Sequence, residues 1–417
     1  MLQVAKQTAA GKYGTTMPII TAAITSESYP NNGSAGSLSS PLPGLNQGES
    51  VDLASSVDLI FQIKADIAAL GVIGEEYNSL LIYLVGTSRL RKHPLRIIIR
   101  GLSGSGKSFP VTRVTLLFPQ EVVIEATSLT PQALYYGEPG WLEHKFIVQG
   151  ERSHRTDDEA ADSTAALRQL FSEDRIVKRV TINKETVTIE QNGPVASCVT
   201  TTAKSIFAED LNRCLQVYAD ESPEQTKRIL QAAAQPYLGE TVHDPQPIIE
   251  RHHQFQQSLQ DIDVVIPYAD QLADHMPTDK LQSRRVIKQV LATVETLTFL
   301  HQHHRDRDKD GRLVATADDY QVARQLLLRP VDEAVGPSDR ARNAYHDLKD
   351  EFPQQGFTST QTVKAGIFNN KMTCKRALDD LVELGVIRCA AEARGSKPRQ
   401  WAWTGKPLKP VLPETLA

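Results

Sequence analysis

The sequence predicts an α/β domain built on a mostly parallel sheet, followed by a helical stretch and a C-terminal winged helix-turn-helix unit. Three observations predict it. An apolar strand, Leu95 to Arg100, runs directly into "GLSGSGKS" and then into a helical stretch. Short apolar runs ("EVVIEA", "HKFIVQG", "VASCVTTT") alternate with helical segments such as "DDEAADSTAALRQLF", the pattern of helices laid on a parallel sheet. After Ser338, three helical segments are followed by two strands around a basic tip.

In order along the chain, residues 1–50 include a Ser-, Gly-, Pro- and Asn-rich stretch that buries too little apolar surface to offset ordering entropy, so they read as a disordered tail. Residues 51–94 carry two helical patterns, "VDLIFQIKADIAAL" and "EEYNSLLIYLVGTSRL", with apolar positions three and four apart. Residues 95–221 form the α/β core, with a hairpin insertion at 175–191. Residues 222–337 read as helical, and 338–417 as the winged helix-turn-helix.

A chain of 417 residues with 40% apolar side chains can bury cores for two or three domains. No run approaches the ~18 apolar residues of a membrane helix, and no compact apolar segment precedes a small-residue cleavage site, so a cytoplasmic protein with no membrane partner is expected. Cys198, Cys214, Cys374 and Cys389 lack CxxC spacing, which argues against a zinc site or a disulfide framework. The net charge of -4 hides an asymmetry: from Ser338 onward there are 13 Lys and Arg against 9 Asp and Glu. That excess permits DNA contact without demanding it.

"GLSGSGKS" fits the phosphate-loop pattern G-x-x-x-x-G-K-[ST] between a strand and a helix. Gly101, Gly104 and Gly106, with Ser105 among them, let backbone amides approach phosphates. Lys107 reaches the β- and γ-phosphates, and Ser108 is the magnesium ligand. ATP and Mg2+ are the expected cofactors. A phosphate-loop ATPase usually has a second strand ending in Asp, which holds the metal's hydration shell. Here the candidate strand, Lys145 to Gln149, ends in Gly150 and Glu151. One carboxylate remains at the position suited to orienting water, with Asp157 and Asp158 close in sequence. Alternatively, Glu151 forms a surface ion pair with Arg152 or Arg155.

In "RIVKRVTINKETVTIEQ", two alternating β-prone runs flank Asn183, Lys184 and Glu185, which makes a hairpin. In the C-terminal unit the third helix offers Lys371, Thr373, Lys375 and Arg376 near its N-terminus, and the wing adds Arg394, Lys397 and Arg399. These suit DNA, or are solvated charges on a protein-contact module. His301, His303 and His304 share no obvious face with a carboxylate or cysteine and read as a polar helix end.

The succession "GEEYNSLLIYLVGTSR", "GLSGSGKS", "TSLTPQALYY", "HKFIVQGE", "ALRQLFSEDRI", "GPVASCVTTTA", "LNRCLQVYADES" and "IPYADQLADHMP" resembles the ATPase module of bacterial and mobile-element DNA primase-helicases. The resemblance covers roughly Ile60 to Leu328. More distantly it is similar to AAA+ helicases of the MCM and superfamily 3 type. It implies an AAA+ core with a helical lid, assembled as a homo-oligomeric ring, a hexamer, acting on single-stranded and duplex DNA with a separate primase as a further partner. Glu151 matches the second of the family's two adjacent acids, and Gly150 departs from the first. Thr202, or Thr201, matches the residue that contacts the γ-phosphate or lytic water, although threonine there is equally a good strand residue. Asn212 and Arg213 match the place of an arginine reaching a neighbour's ATP site, Arg284 and Arg285 match the lid arginines that touch phosphates, and Lys184 matches the tip of a hairpin in the ring pore. The implied function is an ATP-dependent DNA helicase or translocase in mobile-element replication. The alternative is a nucleotide-switched DNA-binding or primase-loading protein with slow hydrolysis.

Overall fold

The computed structural model describes residues 52–127, 131–150, 157–182, 184–203, 213–238, 244–354, 356–393 and 398–416. The expected tail lies outside them. Two compact units emerge: Met1–Asp263 with Phe299–Leu313, and Val264–Thr298 with Val314–Ala417.

The first unit is built on a five-stranded parallel sheet. Its strands are β1 (Arg96–Arg100), β2 (Val123–Ala126), β3 (Lys145–Gln149), β6 (Val195–Thr201) and β7 (Leu215–Tyr218), in the order β2-β3-β6-β1-β7. All seven residues of β6 are buried, as expected for a central parallel strand covered on both faces. Helices α1 (Leu59–Ala69), α2 (Glu76–Ser88), α3 (Ser108–Thr115), α4 (Asp157–Glu173), α5 (Pro223–Ala234) and α6 (Gln246–Ser258) complete it. α2 is buried from Ser79 to Ser88, which explains why its sequence is apolar on nearly every side. Strands β4 (Arg175–Ile182) and β5 (Glu185–Asn192) pair only with each other, so the predicted hairpin forms outside the main sheet.

A buried polar chain ties α6 to α1 and α2. His252 donates from Nε2 to Asp66 Oδ2 at 2.9 Å, and its Nδ1 accepts from the Tyr83 hydroxyl at 2.9 Å. Arg251 reaches the other Asp66 oxygen at 2.6 Å, and Gln256 bridges the Tyr83 and Thr87 hydroxyls. Each member finds a partner within the chain, which is what lets polar groups lie this deep.

The second unit contains α7 (Ala269–Asp274), most of α8 (Ser283–Leu300), α9 (Ala317–Val335), α10 (Asp339–Glu351), α11 (Ser359–Lys364) and α12 (Lys371–Glu383). Two-residue strands β8 (Val264–Val265) and β9 (Leu313–Val314) interrupt the stretch that the sequence reads as wholly helical. α9 starts at a reciprocal capping box between Thr316 and Asp319. Beyond it, α10, α11 and α12 surround Leu348, Phe357, Leu378, Leu381 and Trp401, closed by a sheet of β10 (Phe357–Thr358), β12 (Gln400–Trp403) and β11 (Ile387–Ala391). The three helices lie where the apolar spacing puts them. The third strand, β10, was not expected: two residues are too short to show alternation. The C-terminal segment returns to α9, where Tyr320 donates to Pro413 O at 2.6 Å and Val411 N–H to Asp332 at 2.9 Å.

Candidate nucleotide-binding site

β1 ends at Arg100 and α3 begins at Ser108, so the loop joining them opens at the C-terminal edge of the sheet, where parallel α/β folds place ligands. Gly104 and Gly106 have φ of +83° and +81°, a left-handed backbone that side chains disfavour, which is why glycine stands at both. Lys107 is 7% exposed, and its Nζ donates to Leu102 O at 3.2 Å, folding the ammonium back over the loop. Ser105 Oγ is buried with no partner among the described residues. A buried hydroxyl without a partner, a lysine held on a backbone carbonyl and a helix N-terminus together suit a phosphorylated ligand.

The edges of the loop are held by groups the sequence did not single out. Leu102 N–H donates to Glu221 Oε1 at 2.5 Å, just past β7. Glu75 accepts from Asp220 N–H at 2.8 Å and from Asn78 Nδ2 at 2.6 Å, and Asn78 also donates to Tyr218 O at 2.9 Å. Burial pushes the Glu75 carboxyl above its ordinary range, opposed by these two donors. Glu75, Asn78, Lys107, Pro110 and Ala219 line one small cleft beneath the loop. The quoted runs "GEEYNS" and "YADES" were the available signal; that they meet depends on β7 lying beside β1.

On the other side of β1 stands β6, in register Arg100 to Thr201, and Gly101 N–H donates to Thr201 O at 3.3 Å. The Thr201 hydroxyl accepts from Ala203 N–H at 3.0 Å, and Thr202 follows, half-buried. The end of β6 is thus brought to the start of the phosphate loop. β3 lies one strand further, and its last residue, Gln149, pairs with Val199. Gln149 Oε1 and Thr200 Oγ1 are also buried without partners among the described residues.

Gly150 departs from the expected acid for a visible reason. Its N–H donates to Ala126 O at 2.9 Å, and a Cβ there would stand 3.3 Å from both Cα and O of Thr127. Any side chain must push this backbone aside. Glu151, Asn212, Arg394 and Lys397 lie outside the described residues, as do the side chains of Asp157 and Asp158.

Arg213, just before β7, donates from Nε to Ser172 Oγ on α4 at 2.9 Å. Arg284 and Arg285 are exposed in the first turn of α8, in the second unit. Lys184 is exposed at the hairpin tip with φ of +68°. Lys371, Lys375 and Arg376 are exposed on the first two turns of α12, whose N-cap Asn370 accepts from Thr373 N–H at 2.9 Å. Arg399 pairs with Glu392 at 2.7 Å.

A parallel α/β sheet with a glycine-rich loop opening onto a helix N-terminus defines a P-loop domain, the class that binds or hydrolyses nucleotides, generally with Mg2+. Residues 58–247 match the family model described as the MTBMA_p00010 P-loop domain. The chain is also 24% identical over 291 residues to the uncharacterized protein MTBMA_p00010 of Methanothermobacter marburgensis, an alignment covering 66% of this chain and 35% of that protein. The chain therefore spans about a third of that relative's length. Among the described residues, no helix is long and apolar enough to cross a membrane, and no cluster of three or more His, Cys, Asp or Glu side chains is placed to hold a metal.

Proposed function

We propose that this protein is an ATP-driven DNA helicase or translocase of the AAA+ class, working as a homo-oligomeric ring, a hexamer, in replication of a mobile element. One observation carries the reading: β6 is inserted between the phosphate-loop strand and β3, with the β4–β5 hairpin immediately before it. Thr201, whose carbonyl accepts from Gly101 N–H, adjoins the loop, which supports the sensor reading of Thr201 and Thr202, and the hairpin tipped by Lys184 pairs outside the main sheet. Gly104, Ser105, Gly106, Lys107 and Ser108 would hold ATP, with Ser108 on Mg2+; the metal supplies charge neutralisation on the phosphates. Glu151 would orient water, and Arg213 would enter a neighbour's site.

Two further features support the reading. Arg284 and Arg285 open a helix, the end at which the helix dipole disfavours cations, so helix stability does not account for them. The order α10, β10, α11, α12, β11, β12 supports reading this unit as a winged helix, in which Lys371, Lys375 and Arg376 would enter a groove and Arg399, with Arg394 and Lys397 near it in sequence, would belong to the wing. A single observation favours a second reading, a nucleotide-switched DNA-binding or primase-loading protein: at Gly150, where the metal-side acid is expected, even a Cβ would lie 3.3 Å from the Thr127 backbone, which would have to shift by a few tenths of an ångström to admit a side chain.

ATP turnover measured with and without single-stranded DNA, alongside strand displacement, decides between the two. DNA-stimulated turnover with unwinding is expected. Tight ATP binding with background turnover and no unwinding overturns the motor in favour of the switch.

A further inference from the structure

We propose that Tyr136 is a base-stacking residue for single-stranded DNA and that Lys178 beside it takes an adjacent phosphate, a subsite at the root of the hairpin that rests on the DNA reading of Lys184 above. Tyr136 lies between β2 and β3 and is 61% exposed. Its backbone is not loose. Gln191, 2% exposed on β5, donates from Nε2 to Tyr135 O at 3.3 Å and to Gly137 O at 2.9 Å, which joins the tyrosine segment to the hairpin root. Lys178 Nζ stands 5.4 Å from the Tyr135 ring centroid and 5.7 Å from that of Tyr136.

Register makes these residues one surface. Ile176 pairs with Gln191, Lys178 with Ile189 and Val180 with Val187, so alternation puts all six on one hairpin face. Ile176 and Gln191 are buried at the root, Lys178 meets the two tyrosines, and Val187, 42% exposed, leads on toward Lys184 at the tip. The face therefore presents an aromatic ring, an apolar stretch and ammonium groups in succession.

The cations on this side of the hairpin are Lys178 beside the tyrosines and Lys184 at the tip, next to Glu185; Arg175 and Arg179 alternate to the opposite face, where Arg175 pairs with Glu190. A cation next to an exposed aromatic ring suits a polymer that offers both phosphates and flat π faces. Single-stranded DNA offers both, and stacking on a tyrosine is tolerant of sequence. In duplex DNA the base faces are already covered by their neighbours, so the subsite should prefer single strands.

The test uses the full chain, with labelled oligothymidylate and an abasic deoxyribose-phosphate strand of equal length, titrated across salt. Tyr136→Ala is expected to weaken oligothymidylate binding about tenfold with an unchanged salt slope, and to leave abasic binding as in the wild type. Tyr136→Trp should retain affinity, with its added fluorescence quenched on binding. Lys178→Ala should lower the salt slope by about one. Wild-type affinity in Tyr136→Ala, or an equal loss on the abasic strand, overturns the stacking role. If Lys184→Ala weakens binding and Tyr136→Ala does not, this subsite falls and the hairpin reading stands. If the wild type binds no single strand, both fall. Because Tyr136 is exposed, an unchanged thermal midpoint in Tyr136→Ala separates lost stacking from lost folding.

Discussion

Leu102 is gripped from both sides: its N–H donates to the Glu221 carboxylate at 2.5 Å, and its carbonyl accepts from Lys107 Nζ at 3.2 Å. The first contact fixes the start of the phosphate loop to the exit of β7. The second holds the lysine that a nucleotide would have to draw away. Glu221→Ala should therefore loosen the loop and weaken ATP binding several-fold, at a stability cost of about 1 kcal/mol, the usual net worth of such a bond near solvent. Glu221→Gln keeps an acceptor and should recover most of the affinity. Isothermal titration with a non-hydrolysable ATP analogue checks both.

Glu151 and Gly150 bear on hydrolysis in different ways. Glu151→Gln is expected to bind ATP and assemble normally but to turn over at least ~10²-fold more slowly, as loss of a water-positioning base should cause. Activity equal to wild type would move the role to Asp157 or Asp158. Restoring the missing acid should not help: Gly150→Asp puts a Cβ 3.3 Å from the Thr127 backbone, which must shift by a few tenths of an ångström, so the variant is expected to be less stable than the wild type. Denaturant midpoints measured beside turnover will show it.

Lys107→Ala should abolish tight ATP binding. Mixed with Arg213→Ala subunits it should regain some turnover, because one mixed interface then has an intact loop and an intact arginine. In the free chain Arg213 is held by Ser172 at 2.9 Å, so Ser172→Ala should leave turnover unchanged or raise it slightly. No rescue in rings shown to be mixed argues against action in trans.

The Asp66–His252–Tyr83 chain gives folding a pH dependence of known sign. Burial holds the His252 imidazole below the ordinary histidine range, and its partners suit the neutral ring: Nε2–H donates to Asp66 while Nδ1 accepts from Tyr83. The unfolded chain takes up a proton near pH ~6.5 and the folded one does not, so stability is full above that pH and falls below it. Burial would raise the Asp66 carboxyl, but the His252 hydrogen bond, with Arg251 beside it, holds it low, so its contribution is lost as pH falls through the acid range. Urea midpoints should drop from pH ~7 to ~5. His252→Leu should flatten that slope while costing about 1 to 3 kcal/mol, since the Tyr83 hydroxyl loses its acceptor.

Arg376, exposed on α12, is placed to read a base edge if this unit binds duplex DNA. Arg376→Ala should then cost ~1 to 3 kcal/mol at one position of the duplex site and spare ATP turnover. Lys371→Ala should weaken binding evenly across sequences and lower the salt slope by about one. Competition binding with single-base variants of a selected site distinguishes the two.

The sequence by itself determined the phosphate loop, the alternation of strands and helices, the hairpin and the three C-terminal helices. Each is written locally: glycines where φ must be positive, apolar residues at the period of their element, a turn between two β-prone runs. Tertiary structure alone decided what meets the loop. Glu221 reaches Leu102 because β7 lies beside β1, a pairing across more than a hundred residues of chain that no period records. Asp66 and His252 stand 186 residues apart, and only helix packing closes that distance. Gln191 reads as the polar end of a strand until the fold brings the Tyr135–Gly137 backbone to its side chain. Gly150 reads as a lost acid until the parallel pairing of β2 with β3 carries the Thr127 backbone to 3.3 Å from where a Cβ would stand. Local propensity acts over a few residues, whereas hydrogen bonds and steric exclusion act wherever the chain returns, so the loop was legible and its supports were not.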